Sequence, residues 1–302
     1  MRPAAPAALA LLLAGAVACA TGAGGPIASG AALVLDAEVV WREADPRFGG
    51  FSGLTVEDDG ARLVAISDRA AWATARLARS DGRLTGVTLT GIGPLRAISG
   101  DVLVDQEVDA EGLATGPDGA AYLSFEAFHR IRRYPRIDGP AEDVPGHPDF
   151  RGLQVNSALE ALAIDAEGTL YAIPERSGKL TRPFPVYRYR DGRWDSELRL
   201  RRDGAFLVAG ADFGPDGRLY VLERDFRWYA GFATRIRSFS VGPDGLGDVV
   251  TLLQTDFGEL DNMEGISVWR DGTGRTRLTL ISDDNFLPIQ KTVIVEYVFA
   301  GS

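Results

Sequence analysis

Acidic side chains recur in this chain at positions where short two-stranded units would bring them together. Glu111, Glu160 and Glu264 each open a step of the form Glu-small-apolar, and Ser52-Gly53-Leu54 opens another without the acid. After a turn and a second apolar run the units close on acids again: Asp68, Glu126, Glu175, Glu223, and the pair Asp283-Asp284. Arginines follow several of them, as Arg69, Arg176 and Arg224, with Arg130 nearby. Carboxylate and amide oxygens suit a hard cation such as Ca2+. The expected ligands are Glu111, Asn156, Glu160, Glu264, Asp283 and Asp284. Arg69, Arg176 and Arg224 fit an oxyanion clamp built from paired hydrogen bonds. Glu126 or Glu223 would take a proton from water as general base. A competing reading stays open, in which Glu-Arg pairs only brace neighbouring elements. Both readings respect one constraint: crowded carboxylates at a low-dielectric opening need cations, from arginine or from metal.

Other chemistries find little support. His129 and His147 are the only histidines, too few for a multi-histidine zinc or iron centre. His129 follows Phe125-Glu126 and reads equally as an acid-base group or a bystander, while His147 in Pro-Gly-His-Pro reads as a loop residue. No G-x-S-x-G elbow is present. No glycine-rich phosphate loop joins a strand to a helix, so no nucleotide cofactor is expected. Asp118, Asp216 and Asp244, each in Pro-Asp-Gly, are turn formers.

The acids need a repeated element to hold them. The units SGLTVEDDGARLVAISDR, EGLATGPDGAAYLSFE, EALAIDAEGTLYAIPER, VAGADFGPDGRLYVLERD and EGISVWRDGTGRTRLTLISDDNF share a strand-turn-strand pattern. Their leading positions are 59, 49 and then 104 residues apart, the last step containing the unit that lacks a leading acid. Third strands follow, such as RIRRY from Arg130 and RIRSFSV from Arg235, then outer strands such as DVVTLLQ from Asp248. Periods near fifty residues built from short strands predict propeller blades. Five units are counted, and a sixth around 92–108 stays open. The last unit lacks an outer strand, which Ala32–Trp41 is placed to supply, closing the ring. In a hairpin the start of the first strand and the end of the second lie at one end. A ring of such hairpins therefore gathers the acids on one rim.

Thirty-six glycines and sixteen prolines agree with an all-β chain rich in turns. The net charge of −10 argues against nucleic acid, whose phosphates demand the opposite sign. Residues 1–20 combine Arg2, the apolar run Ala7–Val17 and the small residues Ala18-Cys19-Ala20, which predicts a secretory leader. Export to the periplasm is expected, with 21–31 as a linker and 32–302 as the domain. The lone Cys19 is either discarded with the leader or becomes a lipid anchor, holding the protein at the outer membrane. No other stretch is apolar and long enough to span a bilayer.

These blocks resemble the phytase-like domain family, known as "esterase-like activity of phytase". The matching segments are FSGL with ISDR (Phe51 to Arg69), DAEGL with SFEAFHRI (Asp109 to Ile131) and NSALEAL with IPER (Asn156 to Arg176). LYVLERDF (Leu219 to Phe226), DNMEGI (Asp261 to Ile266) and ISDDNFLPIQKT (Ile281 to Thr292) continue them in order. Met263 departs from the aromatic residue common at its place. The resemblance implies an extracytoplasmic bacterial propeller acting on a small-molecule ester or phosphate ester. Three functions follow as expectations: calcium-assisted phosphate-ester hydrolysis, a lactonase or carboxylic esterase of gluconolactonase type, and a non-catalytic binding propeller.

Overall fold

Each repeat forms a four-stranded antiparallel sheet, because its apolar runs are short, its turns tight and both of its faces are covered. The computed structural model describes residues 32–154 and 159–300. The expected leader with Cys19, the linker 21–31, and Asn156 lie outside the described residues. Strand β1 (Leu33–Val40) comes first in sequence and last in the ring. Blade I holds β2 (Phe51–Glu57), β3 (Arg62–Ser67), β4 (Ala71–Ser80) and β5 (Arg83–Pro94). Blade II holds β6 (Ala110–Thr115), β7 (Ala121–Phe125), β8 (Arg130–Tyr134) and β9 (Glu142–Val144). Blade III holds β10 (Ala161–Ile164), β11 (Leu170–Ile173), β12 (Phe184–Arg190) and β13 (Arg193–Leu200). Blade IV holds β14 (Leu207–Phe213), β15 (Leu219–Arg227), β16 (Gly231–Gly242) and β17 (Gly245–Gln254). Blade V holds β18 (Met263–Arg270), β19 (Thr276–Ser282) and β20 (Val293–Phe299), with β1 as its outer strand.

The molecule is a five-bladed β-propeller, as the repeat predicts. The stretch 92–108 does not make a sixth blade. It finishes β5 and then folds as a connector, its only pairing a pair of isolated bridges from Arg96 to Val102 and Pro140. Among the described residues, no helix is long and apolar enough to cross a membrane.

The core lies between blades. One apolar layer joins blades I and V around Trp41, Phe51 and Trp269, and another joins III and IV around Tyr171, Phe184 and Phe239. Truncating one such buried side chain to alanine costs roughly 2–5 kcal/mol. Ring closure adds a buried ionic network. Arg79 of blade I donates two hydrogen bonds to Glu296 of β20, each 2.7 Å, and Arg277 reaches Asp36 of β1 at 2.7 Å. First and last blades are thus locked by apolar packing and paired charge.

Candidate active site at the propeller opening

The inner strands β2, β6, β14 and β18 each begin with an irregularity in register against the second strand of their blade. The interruptions fall between Phe51 and Gly53, Ala110 and Leu113, Val208 and Gly210, and Met263 and Gly265. A bulge leaves a residue outside the ladder and re-aims its side chain. Ser52, Glu111, Ala209 and Glu264 occupy these places, so the bulge turns the leading acids toward the opening. Glycine follows because the inner strands meet closely. A Cβ on Gly112 would stand 2.7 Å from Ser124 Oγ and 3.0 Å from the Glu160 carbonyl oxygen. Beneath the acids, Gly53, Gly112, Gly210 and Gly265 help narrow the channel to about 10 Å³ of space, so a ligand meets the acids from the open end.

A second tier comes from the ends of the second strands. Gly53, Gly210 and Gly265 pair with Ile66, Leu222 and Ile281. Counting two residues onward gives Asp68, Arg224 and Asp283, and the same count in blades II and III gives Glu126 and Glu175. The two tiers bring together Asp68, Asp109, Glu111, Glu126, Glu160, Glu175, Glu264 and Asp283, with Arg224 among them. Glu126, Glu160, Glu175, Glu264 and Asp283 are buried, and the other three acids half-buried.

Arg224 serves one side of this belt. It donates to Asn262 Oδ1 at 2.9 Å, pairs with Glu264, and approaches Glu175 at 3.7 Å. It therefore joins blades III, IV and V, the bracing task weighed for such pairs. Asn262 in turn donates to Glu264 at 2.7 Å and to Asp283 at 3.4 Å.

Among the described residues, no salt bridge to an arginine is seen for Asp109 or Glu111 on the opposite side. Asp109, Glu111 and Glu126 each bring a carboxylate oxygen within 4.8 Å of the others. Although part of Glu111 faces the opening, burial pushes its pKa well above the usual carboxylate range, and the charges of Glu160, Asp109 and Glu126 push further. Glu160 is likewise raised, first by burial, against an opposing pull from Arg224. The charges of Glu175 and Glu126 push Glu160 further up. Burial raises Asp109 too. It pushes Asp68 up to about 7, with the charges of Asp283 and Asp109 adding, and Asp283 up to about 6.

Other expected residues fall elsewhere. Glu223 does not reach the rim. It is fully buried inside blade IV, accepting from Arg235 Nε at 2.8 Å and from Arg237 Nε and Nη2 at 2.7 and 2.6 Å. Asp284 accepts from Gly50 N at 2.9 Å and Thr292 Oγ1 at 3.0 Å, fastening the final loop to blade I. Gly50 has φ +62°, and a Cβ there would lie 2.3 Å from Asp68 Oδ1 and from the Phe286 ring. Arg69 and Arg176 are exposed at the edge: the Arg69 guanidinium lies 3.3 Å from the centre of the Phe286 ring, and Arg176 donates to Glu175 at 2.9 Å. His129 lines a separate pocket with His147 and Phe150. His147 caps a short turn by accepting from Asp149 N. Asp109 and Asn262 were not singled out by the sequence. Each stands two residues before a leading glutamate, where the alternation of a strand places side chains on one face.

Residues 46–286 match the phytase-like family described as esterase-like activity of phytase. The chain belongs to this family. None of the curated proteins matches it. Among solved structures, this phytase-like propeller is similar to the catalytic domain of the Coprinopsis cinerea GH62 α-L-arabinofuranosidase. That match has 12% identity and a TM-score of 0.53, over 90% of this chain and 98% of that one. The PQQ-bound aldose sugar dehydrogenase of Streptomyces coelicolor matches with 14% identity and a TM-score of 0.44, over 90% and 100% of the two chains. The Xanthomonas campestris gluconolactonase XC5397 matches with 14% identity and a TM-score of 0.42, over 82% and 72%. At these identities the likeness concerns the fold.

Proposed function

We propose that this phytase-like propeller hydrolyses phosphate esters at its acidic opening, with a hard divalent cation, calcium first, held by Asp109, Glu111 and Glu126. The observation behind this reading is the three-carboxylate group within 4.8 Å on the side of the rim that Arg224 does not serve. The donor set fits the ion. All three ligands are oxygens, which suit calcium, magnesium or manganese rather than a thiophilic metal. Burial, then the charges of Glu160, Asp109 and Glu126, raise the pKa of Glu111, and a cation there would relieve that crowding. Such a cation, when bound, would offset the carboxylates and polarise a phosphoryl oxygen or a water molecule.

The chain's own groups have distinct tasks. Arg69 and Arg176, exposed on either side of the opening, would bind phosphate oxygens of the ester. Asp68, with a pKa of about 7, suits proton transfer near neutrality, since general acid-base groups work best when their pKa lies near the working pH. Glu160, whose charge interacts with that of Glu126, would share the field of the bound cation. Arg224 keeps Glu264 and Glu175 in position. A leader over 1–20 would deliver the protein to an extracytoplasmic compartment.

The test is phosphate release from a broad ester panel, with calcium or with chelator, for wild type and Glu111→Gln. Calcium-dependent release is expected. It should fall by at least about 10–100-fold in the variant, the loss known even for residues one step outside a metal's ligands. Intact phosphate esters beside rapid lactone turnover would instead assign the opening to carboxylic esters. Calcium that changes neither turnover nor melting temperature would remove the metal from the account.

A further inference from the structure

A gathering of opposite sign lies on blade II, apart from the carboxylates. In β8, Arg130, Arg132 and Tyr134 alternate with Ile131 and Arg133 and so share a face. That face meets the connector after blade I, whose backbone turns back through Ala97 N to Asp101 O and Leu103 N to Leu95 O. Between them is a pocket of about 210 Å³, its wall including Arg96, Arg130, Arg132, Glu107, Phe125 and Tyr134.

Blade IV shows what these arginines usually do. Phe125 pairs with Arg130 in the ladder of blade II, just as Glu223 pairs with Arg235 in blade IV. Arg235 and Arg237 are clasped by Glu223. In blade II a phenylalanine stands where that carboxylate would be. Arg130 lies over the Phe125 ring at 4.3 Å and spends its hydrogen bonds on the carbonyls of Phe128 and Glu107, at 3.0 and 2.7 Å. Arg96 donates to the Gly100 carbonyl at 2.9 Å. Carbonyl acceptors fix a guanidinium without cancelling its charge. Among the described residues, neither Arg96 nor Arg130 has a carboxylate within salt-bridge distance, whereas Arg132 pairs with the exposed Asp143. Burial, then the charge of Arg132, depress the pKa of Arg130, while the charge of Glu107 pulls the other way. Glu107 is the one acid in the wall, and it is exposed.

We propose that this pocket binds a tetrahedral oxyanion of the phosphate class, either the free ion or the phosphate group of a small molecule. Planar guanidiniums recognise such groups through paired charge-assisted hydrogen bonds. The cation-π contact with Phe125 and the two carbonyl bonds hold Arg130 in place before the ligand arrives. The site does not depend on hydrolysis at the opening.

Calorimetric titration with inorganic phosphate and, separately, glucose 6-phosphate, both in chelator, tests the pocket without the rim metal. Wild type should bind. Arg130→Gln and Arg96→Gln should each weaken binding at least tenfold, while Arg193→Gln, at an exposed arginine of β13 outside the pocket, binds like wild type. Tighter binding of the sugar phosphate would name a phosphorylated metabolite as the source, and equal binding the free ion; either supports the pocket. Should Arg130→Gln fail to fold, Arg96→Gln decides alone. No heat at millimolar phosphate, unchanged binding in Arg96→Gln, or equal competition by acetate would overturn the assignment.

Discussion

Blades II and IV come from the same repeat, yet they use their acids in opposite ways. In blade IV a glutamate sits one step inside the blade, clasped by two arginines, and Arg224 takes the rim position. In blade II the step inside is Phe125 and the rim position is Glu126. The leading places differ in the same sense, with Ala209 in blade IV and Glu111 in blade II. One blade therefore neutralises its charge internally and lends a cation to the opening. The other leaves three carboxylates facing one another and, among the described residues, Arg130 with no carboxylate at salt-bridge distance. Charge that braces the fold and charge available for chemistry are separated here by a single residue of offset.

The strongest way to break this contrast is Glu223→Gln. It would leave Arg235 and Arg237 buried against a neutral amide, and removing one partner from a buried pair costs about 3–5 kcal/mol. Urea denaturation should show that loss, and a variant as stable as wild type would mean the clasp is not structural. The same exchange in blade II should have the opposite sign. In chelator, Glu111→Gln removes a carboxylate held near its neighbours against repulsion, so stability near pH 8 should rise by about 1 kcal/mol. A loss there would place Glu111 with Glu223 as a brace.

A smaller effect sharpens the comparison through pH. Asp68 moves from its ordinary 3.8 to about 7 in the fold and Asp283 to about 6. Between those limits the folded chain binds more protons than the unfolded one, so stability declines as pH rises. Denaturation of the chelated protein from pH 4 to 7 should show the decline, and saturating calcium should flatten it. A rise with pH in chelator would contradict the crowding described for the opening.

Much of the architecture was legible in the sequence, because turn chemistry and apolar period are local. Asp118-Gly119 and Asp216-Gly217 make the expected turns, with φ +79° and +75° at the glycines. β1 completes blade V because LVLDAEVV has the alternation an outer strand needs and the last unit lacks one. The stretch 92–108 was ambiguous since beyond Pro94 its residues join no regular ladder. At the opening, Glu111, Glu160, Glu264 and Asp283 were found by their repeat position. Glu223 was misplaced because Leu-Glu-Arg in blade IV looks like Pro-Glu-Arg in blade III, whereas the ladder sets them one residue apart. Such a slip reverses which side each residue faces, and it is decided by the partner strand. The bulges that turn Glu111 and Glu264 depend on that partner too.

The pairing of Leu33 with Phe299 also orders events during synthesis. β1 is made before every blade, but its mate is made after all of them. While four sheets assemble, this early strand must wait, with Val34 and Leu35 still half in water even at the end. Contacts between distant parts of a chain form slowly because a long loop must close first. The seam is therefore the last part of the circle to heal, and until it does both its edges are open to a wrong partner.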